Sequence, residues 1–172
     1  GTSTGLTGLG SQFFSQNSPG VWSTAEQFDH FGSALTAGDF DHDGYADLAI
    51  GVPHESIGNT EVAGAVNVLS GTATGLTGSG SQYFNQNTPG VGSAAEQGDE
   101  LGFALAAGDF DSVNRNDFTD LAIGVPGEDQ GGAINVLYGG SSGLTGSGSQ
   151  FFTQDSPGVP DTAEPGDRFG HA

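Results

Sequence analysis

Residues 31–53 read FGSALTAGDFDHDGYADLAIGVP, and residues 101–126 read LGFALAAGDFDSVNRNDFTDLAIGVP. One order of small residues, acidic loop and apolar run therefore occurs twice in a single chain. Within Asp47 to Val52, Leu48, Ile50 and Val52 alternate with Ala49 and Gly51, a period of two that predicts a strand. The stretch before the loop, Gly32 to Phe40, predicts another, with Ala34, Ala37 and Gly38 small enough for a crowded position. Ala63 to Leu69 predicts a third, its β-branched Val66 and Val68 on one side, and Ser81 to Asn85 a fourth. Gly, Pro, Asn, Asp and Ser fill the gaps as turn formers. Nowhere do apolar residues recur at helical spacing over three turns. The fold class is all-β.

Outward from this core the repetition continues. The segment GLTGLGSQFFSQNSPGVWSTAEQFDH starts at Gly5, and a second copy starting at Gly75 matches it at 18 of 26 positions. A third copy starts at Gly143, so the period is 70 residues and then 68. A fixed period of this kind marks a repeat architecture. Four short strands per repeat fit a β-propeller blade; a β-sandwich does not explain repetition of whole four-strand units. At about 70 residues per repeat, 172 residues supply under three of the about four to eight blades that close a propeller. The expectation is an incomplete propeller or repeat-array segment. It divides into a fourth strand (Ser11 to Ser15) of a preceding blade plus connection (1–30), full blades at 31–100 and 101–168, and the start of a further blade (169–172). Such a chain is expected to be a piece of a longer repeat protein or an assembling subunit, since unpaired strand edges template association.

The loop between the first two strands is Asp39-Phe40-Asp41-His42-Asp43-Gly44-Tyr45-Ala46-Asp47. It resembles the start of an EF-hand loop, with alternate carboxylates and a Gly for the sharp turn, but the closing Glu is missing and both flanks are strands. Asp39, Asp41 and Asp43 offer carboxylates, Tyr45 a backbone carbonyl and Asp47 a closing carboxylate. An oxygen-only, strongly negative set selects a hard cation, and flexible coordination favours Ca²⁺ over Mg²⁺. The second loop is three residues longer. Aligned backward from Asp120, it keeps Asp109, Asp111 and Asp120, puts Phe118 at the carbonyl position and Asn116 at the place of Asp43; Asn114 competes for that place. The second site is expected to be the weaker, having lost a charge and the turn Gly and gained Arg115.

Composition agrees. With two Arg, no Lys and 21 acidic residues, the formal charge is −19. Nucleic acid and anionic membrane surfaces are excluded as partners, because both need clustered cations. Absence of Cys excludes disulfides, thiol catalysis and Cys-ligated metals. No apolar run approaches the roughly 20 residues that span a bilayer. The chain opens on Gly1, as expected where a start or leader has been removed. Leu, Ile, Val and Phe make up about a fifth of the chain, close to disorder-prone composition at this charge, so a bound cation is expected to neutralise the carboxylates.

Phe31-Gly32 with Gly51-Val52-Pro53, Leu101-Gly102 with Gly124-Val125-Pro126, and Phe169-Gly170 resemble FG-GAP repeats, the blades of the propeller at the N-terminus of integrin α chains and in many secreted bacterial proteins. The resemblance covers nearly the whole chain. It implies blades of four antiparallel strands, usually seven to a propeller, calcium in the loop joining the first two strands, and ligand binding on the opposite face. The implied metal ligands are Asp39, Asp41, Asp43, Tyr45 and Asp47, then Asp109, Asp111, Asn116, Phe118 and Asp120.

Other residues carry weaker signals. His30, His42, His54 and His171 do not recur at equivalent positions and read as surface loop residues. Glu55 and Glu128 follow the two GVP segments and read as solvated charges rather than binding residues. The aromatic pairs Phe13-Phe14, Tyr83-Phe84 and Phe151-Phe152 read as packing rather than as a carbohydrate platform, and Trp22 stands where the other copies have Gly92 and Pro160. No G-x-S-x-G elbow occurs, and no reaction is assigned. The expected function is a calcium-binding extracellular structural or adhesive module, at the cell surface or secreted. Its expected partners are neighbouring repeats or copies of itself, then an extracellular protein or a glycan. The alternatives are a glycan- or ligand-binding propeller, using the Glu55 and Glu128 loops, and an accessory domain of a secreted hydrolase.

Overall fold

The computed structural model describes Gly5, residues 7–111 and residues 118–172. Asn114, Arg115 and Asn116 of the second acidic loop lie outside the described residues. Eight strands form two four-stranded antiparallel sheets: β1 (Leu35–Gly38), β2 (Asp47–Val52), β3 (Ala65–Ser70) and β4 (Thr77–Phe84), then β5 (Leu105–Gly108), β6 (Asp120–Val125), β7 (Ala133–Tyr138) and β8 (Thr145–Phe152). Each sheet runs in sequence order and is one propeller blade. The only helical turn among the described residues is the short 3₁₀ segment Glu128–Gln130.

Local chemistry sets the strand limits. β2 has the expected bounds, because DLAIGV lies wholly between its acidic loop and Pro53. β1 is shorter than expected: Gly32 takes a left-handed φ of 89° and Ser33 donates to the His30 carbonyl (3.0 Å), so a turn occupies the first residues. β4 begins at Thr77 rather than Ser81, since a register shift between Val68 and Ser70 lets Ser70 pair with Thr77. Residues 11–15 carry no strand, and among the described residues none pairs with them in a ladder. Gln12 instead brackets the next repeat, its amide donating to the Leu76 carbonyl and accepting from the Leu76 N–H (2.8 Å each). Gln82 does the same to Leu144 (2.9 Å each).

The core runs from one blade into the next, through Val66, Leu69, Leu101, Leu121, Ile123, Val125 and Leu137. Burial of both faces of β2 and β6 departs from simple alternation and reflects stacking on each side. A close backbone approach lies between the signature glycines. A Cβ on Gly51 would stand 2.0 Å from the Gly102 carbonyl oxygen, and one on Gly124 1.9 Å from that of Gly170. At these two places the GVP glycine of one repeat and the signature glycine of the next let the backbones touch. A parallel bridge between Gly64 and Leu101 and the bond from the Leu101 N–H to the Ala63 carbonyl (3.0 Å) extend the contact.

Polar groups also cross between repeats. Arg168 donates to Glu100 (2.6 Å), His54 Nε2 lies 3.7 Å from the same carboxylate, and the His30 ring stacks 4.4 Å from that of His54. The histidines lie in loops as expected, and His30 and His54 meet because connections from successive repeats run side by side.

Gly51→Ala is expected to lower stability by about 1–3 kcal/mol, since the added methyl must separate two blades. Gly8→Ala, with nothing within 4 Å of the added carbon, should stay within about 0.5 kcal/mol. Urea midpoints of the two variants check this.

Candidate metal centre

The first acidic loop leaves β1 at Asp39 and returns at Asp47, the first residue of β2. His42 and Gly44 take left-handed φ values of 58° and 90°, which bend the chain back on itself. Asp39 accepts from the Asp43 and Gly44 amides (3.0 Å each), Asp41 from Asp43 (3.1 Å), and Asp43 from Tyr45 (2.8 Å). This folding gathers the side chains. Oxygens of Asp39, Asp41 and Asp43 all lie within 4.8 Å of one another. Two like charges about 4 Å apart repel by about 4 kcal/mol at a surface-like effective dielectric, so the arrangement favours a cation among them. Three carboxylates without a nitrogen or sulfur donor suit a hard divalent ion.

Asp47 is placed apart from that trio. It is buried and accepts from the Phe40 N–H (3.0 Å) and the Gly71 N–H (2.8 Å), tying the loop to the end of β3. Burial raises its pKa, against the lowering effect of those two amides. Tyr45 is exposed at the loop's outer side. In the second loop the converging set is Asp109, Asp111 and Asp120. Asp120 repeats the role of Asp47, accepting from Phe110 (2.7 Å) and Gly139 (2.9 Å). Phe118 meets the His42 ring edge-on at 5.7 Å, so the two loops adjoin. Asn116 falls outside the described residues.

The loop also reaches into the next blade. Phe40 is fully buried in the shared core, while its counterpart Phe110 is 47% exposed. The Asp39 carbonyl accepts from the Thr119 N–H (3.1 Å) and the Phe40 carbonyl from the Gly140 N–H (3.2 Å). The aromatic residue inside each GDFD was the available signal for this role, and sequence reasoning passed over it.

Glu55 and Glu128 correct the sequence reading: both are buried, not solvated. Gln16 donates to Glu55 (2.6 Å) together with the Ser23 hydroxyl, and Gln86 and Ser93 donate to Glu128 (2.5 Å each). The connection that carries these Gln and Ser donors, residues 16–23 and 86–93, covers each glutamate. Burial pushes both pKa values up, against the lowering effect of the donors. Beside Glu128, buried Asp99 is pushed up to about 6, first by loss of water, then by the charges of Glu128, Glu96 and Asp129.

Two stacked four-stranded blades, each with an acidic loop joining its first two strands, define a β-propeller repeat protein. Residues 31–69 match the family model of the FG-GAP repeat. The chain is 34% identical over 110 residues to integrin alpha-8 of Gallus gallus, covering 63% of this chain and 10% of that protein. To integrin alpha-3 of Cricetulus griseus it is 30% identical over 131 residues, 76% of this chain and 11% of that one. It is also 36% identical over 117 residues to phosphatidylinositol-glycan-specific phospholipase D of Bos taurus, 65% of this chain and 13% of that enzyme. The chain belongs to the FG-GAP repeat family. It spans about a tenth of the length of the curated relatives it matches.

A pH dependence follows from Asp99. A carboxyl raised above its unfolded value near 3.9 stabilises the fold fully below that value and loses the contribution as pH rises through about 6. In metal-free buffer the urea midpoint should therefore be higher at pH 5 than at pH 7.5, with about 1 kcal/mol from Asp99 alone. Asp99→Asn should reduce that difference.

Proposed function

We propose that the chain is a calcium-stabilised, extracellular segment of an FG-GAP β-propeller that serves as a structural and protein-interaction module. Asp39, Asp41 and Asp43 would hold one ion, with the Tyr45 carbonyl and Asp47 completing the set. Asp109, Asp111 and Asp120 would hold a second, with Asn116 and the Phe118 carbonyl. The observation carrying this reading is that one loop both gathers three carboxylates and sends Phe40 into the next blade's core. An ion that fixes this loop stabilises the stacked blades; the protein's own part is to supply the oxygens and to keep Phe40 docked. The integrin relatives support an interaction role at the cell surface, by analogy with those proteins. Among the described residues no helix is long and apolar enough to cross a membrane.

A second reading has one observation in its favour. The match to a phospholipase D that is itself an enzyme supports a role as an accessory, non-catalytic propeller of a larger hydrolase. The carboxylates of the first acidic loop accept loop amides and so shape the turn, a role that requires no reaction.

At calcium about a hundredfold above Kd, binding to the folded form adds about 2.7 kcal/mol per site. For a chain of this size, that should raise the melting temperature by about 5–10 °C per site, with chelator restoring the lower value. Scanning calorimetry in chelator and in millimolar Ca²⁺ measures it, and identical melts would refute calcium stabilisation. Asp39→Ala with Asp41→Ala should remove the tighter of two binding events by titration calorimetry; the same pair of changes at Asp109 and Asp111 should remove the weaker.

A further inference from the structure

Trp22 is the single tryptophan of the chain and is 58% exposed. Its orientation is nevertheless fixed. The backbone N–H donates to Oδ1 of Asn67 (3.2 Å), a fully buried residue of β3, and the indole Nε1–H donates to the Ser81 carbonyl (2.9 Å). With its one polar atom engaged by the protein, the exposed remainder of the ring is an apolar face.

That ring borders a shallow, open groove of about 380 Å³ lined by Gly20–Trp22 and by Gly78–Ser81 of β4, two segments joined by the bond from the Ser81 hydroxyl to the Gly20 carbonyl. The volume lies in the range of about 300–1,000 Å³ common for small-ligand sites. Ser79 and Gly80 are exposed along it, and a carbon added to Gly80 would have only the Ser70 hydroxyl near it, at 3.9 Å. The floor is therefore backbone and hydroxyl rather than bulky side chains.

The second repeat is built differently at the same place. Gly92 replaces Trp22, and a Cβ there would meet Phe151 at 2.5 Å, so a packed aromatic ring takes up the space beside it. Gly92 still donates to the buried Asn135 (2.9 Å), as Trp22 does to Asn67. The anchoring is common to both repeats; the exposed indole belongs to the first.

The lining itself carries no charge. No acidic or basic side chain contributes to it, so no carboxylate holds a cation, and the chain's charge of −19 repels anions. A neutral ligand with one apolar face and a hydroxylated rim fits the remaining chemistry. We propose that the groove beside Trp22 binds a neutral saccharide, one pyranose ring stacking its C–H face on the indole and its hydroxyls meeting the Gly and Ser backbone of β4. This site is independent of the acidic loops and does not rest on calcium.

The lone tryptophan makes the test direct. The 172-residue chain is titrated with cellotriose, maltotriose and N-acetyllactosamine while Trp22 emission is followed. At least one sugar should give a saturable spectral change at about 0.1–10 mM, the affinity of a shallow site. Trp22→Gly, which installs the residue of the second repeat, should weaken binding by calorimetry at least tenfold with an unchanged melting temperature. Should that variant unfold, Trp22→Phe decides: several-fold weakening supports the site, and unchanged affinity overturns it. No saturable response to any of the three sugars up to about 50 mM, or full binding by folded Trp22→Gly, overturns the proposal. So does a response to a proline-rich peptide in place of the sugars.

Discussion

The structure depends on the docking of one acidic loop onto the neighbouring blade. Asp39 and Phe40 give their carbonyls to Thr119 and Gly140, and the Phe40 ring is sealed in the core that both sheets share. The stretch Asp39–Asp41 carries two of the three carboxylates that converge to within 4.8 Å. Charge repulsion and apolar burial therefore act on one short segment in opposite directions. Burying a phenylalanine contributes on the order of 2–3 kcal/mol, and each close carboxylate pair opposes it by a comparable amount. A divalent cation removes the opposing contribution and leaves the favourable one.

Between blades the remaining contacts are short-range and repetitive. Gly51 and Gly102 bring backbones together, Gln12 and Gln82 bracket the GLTG segments of the following repeat, and Gln16 and Gln86 cover Glu55 and Glu128. These residues recur at the repeat period, so one interface chemistry is used again at the next position. In an architecture where each unit touches only its neighbours, stability is approximately a sum of unit and interface contributions. Single-repeat deviations are then tolerated, and Trp22 is one: the fold keeps its anchoring bond to Asn67 while the side chain turns outward.

Much of this was legible in the residues. The alternation in DLAIGV fixed β2 to the residue, and the repeated whole units pointed to blades rather than a sandwich. The gathering of Asp39, Asp41 and Asp43 follows from alternate spacing around a left-handed turn. What the sequence hid depends on distant partners. Glu55 reads as solvated because the groups that bury it, Gln16 and Ser23, lie 39 and 32 residues earlier. The early start of β4 follows from a bulge in β3 that no composition signals. Asn67 and Asn135, fully buried within apolar runs, were visible as polar residues at matching positions, but their acceptor role toward the connection appears only in three dimensions.

The central proposal is that an ion in the first loop would hold two blades together, not merely bind there. Amide hydrogen exchange at Thr119 and Gly140 addresses that directly, since both N–H groups belong to the second blade and donate to the loop of the first. Exchange there reports opening of the inter-blade contact. The account predicts that Ca²⁺ slows exchange at these two amides about as much as at the Asp43 and Gly44 amides inside the loop. Slowing confined to Asp43 and Gly44, with Thr119 and Gly140 exchanging at the same rate in calcium and in chelator, would contradict it.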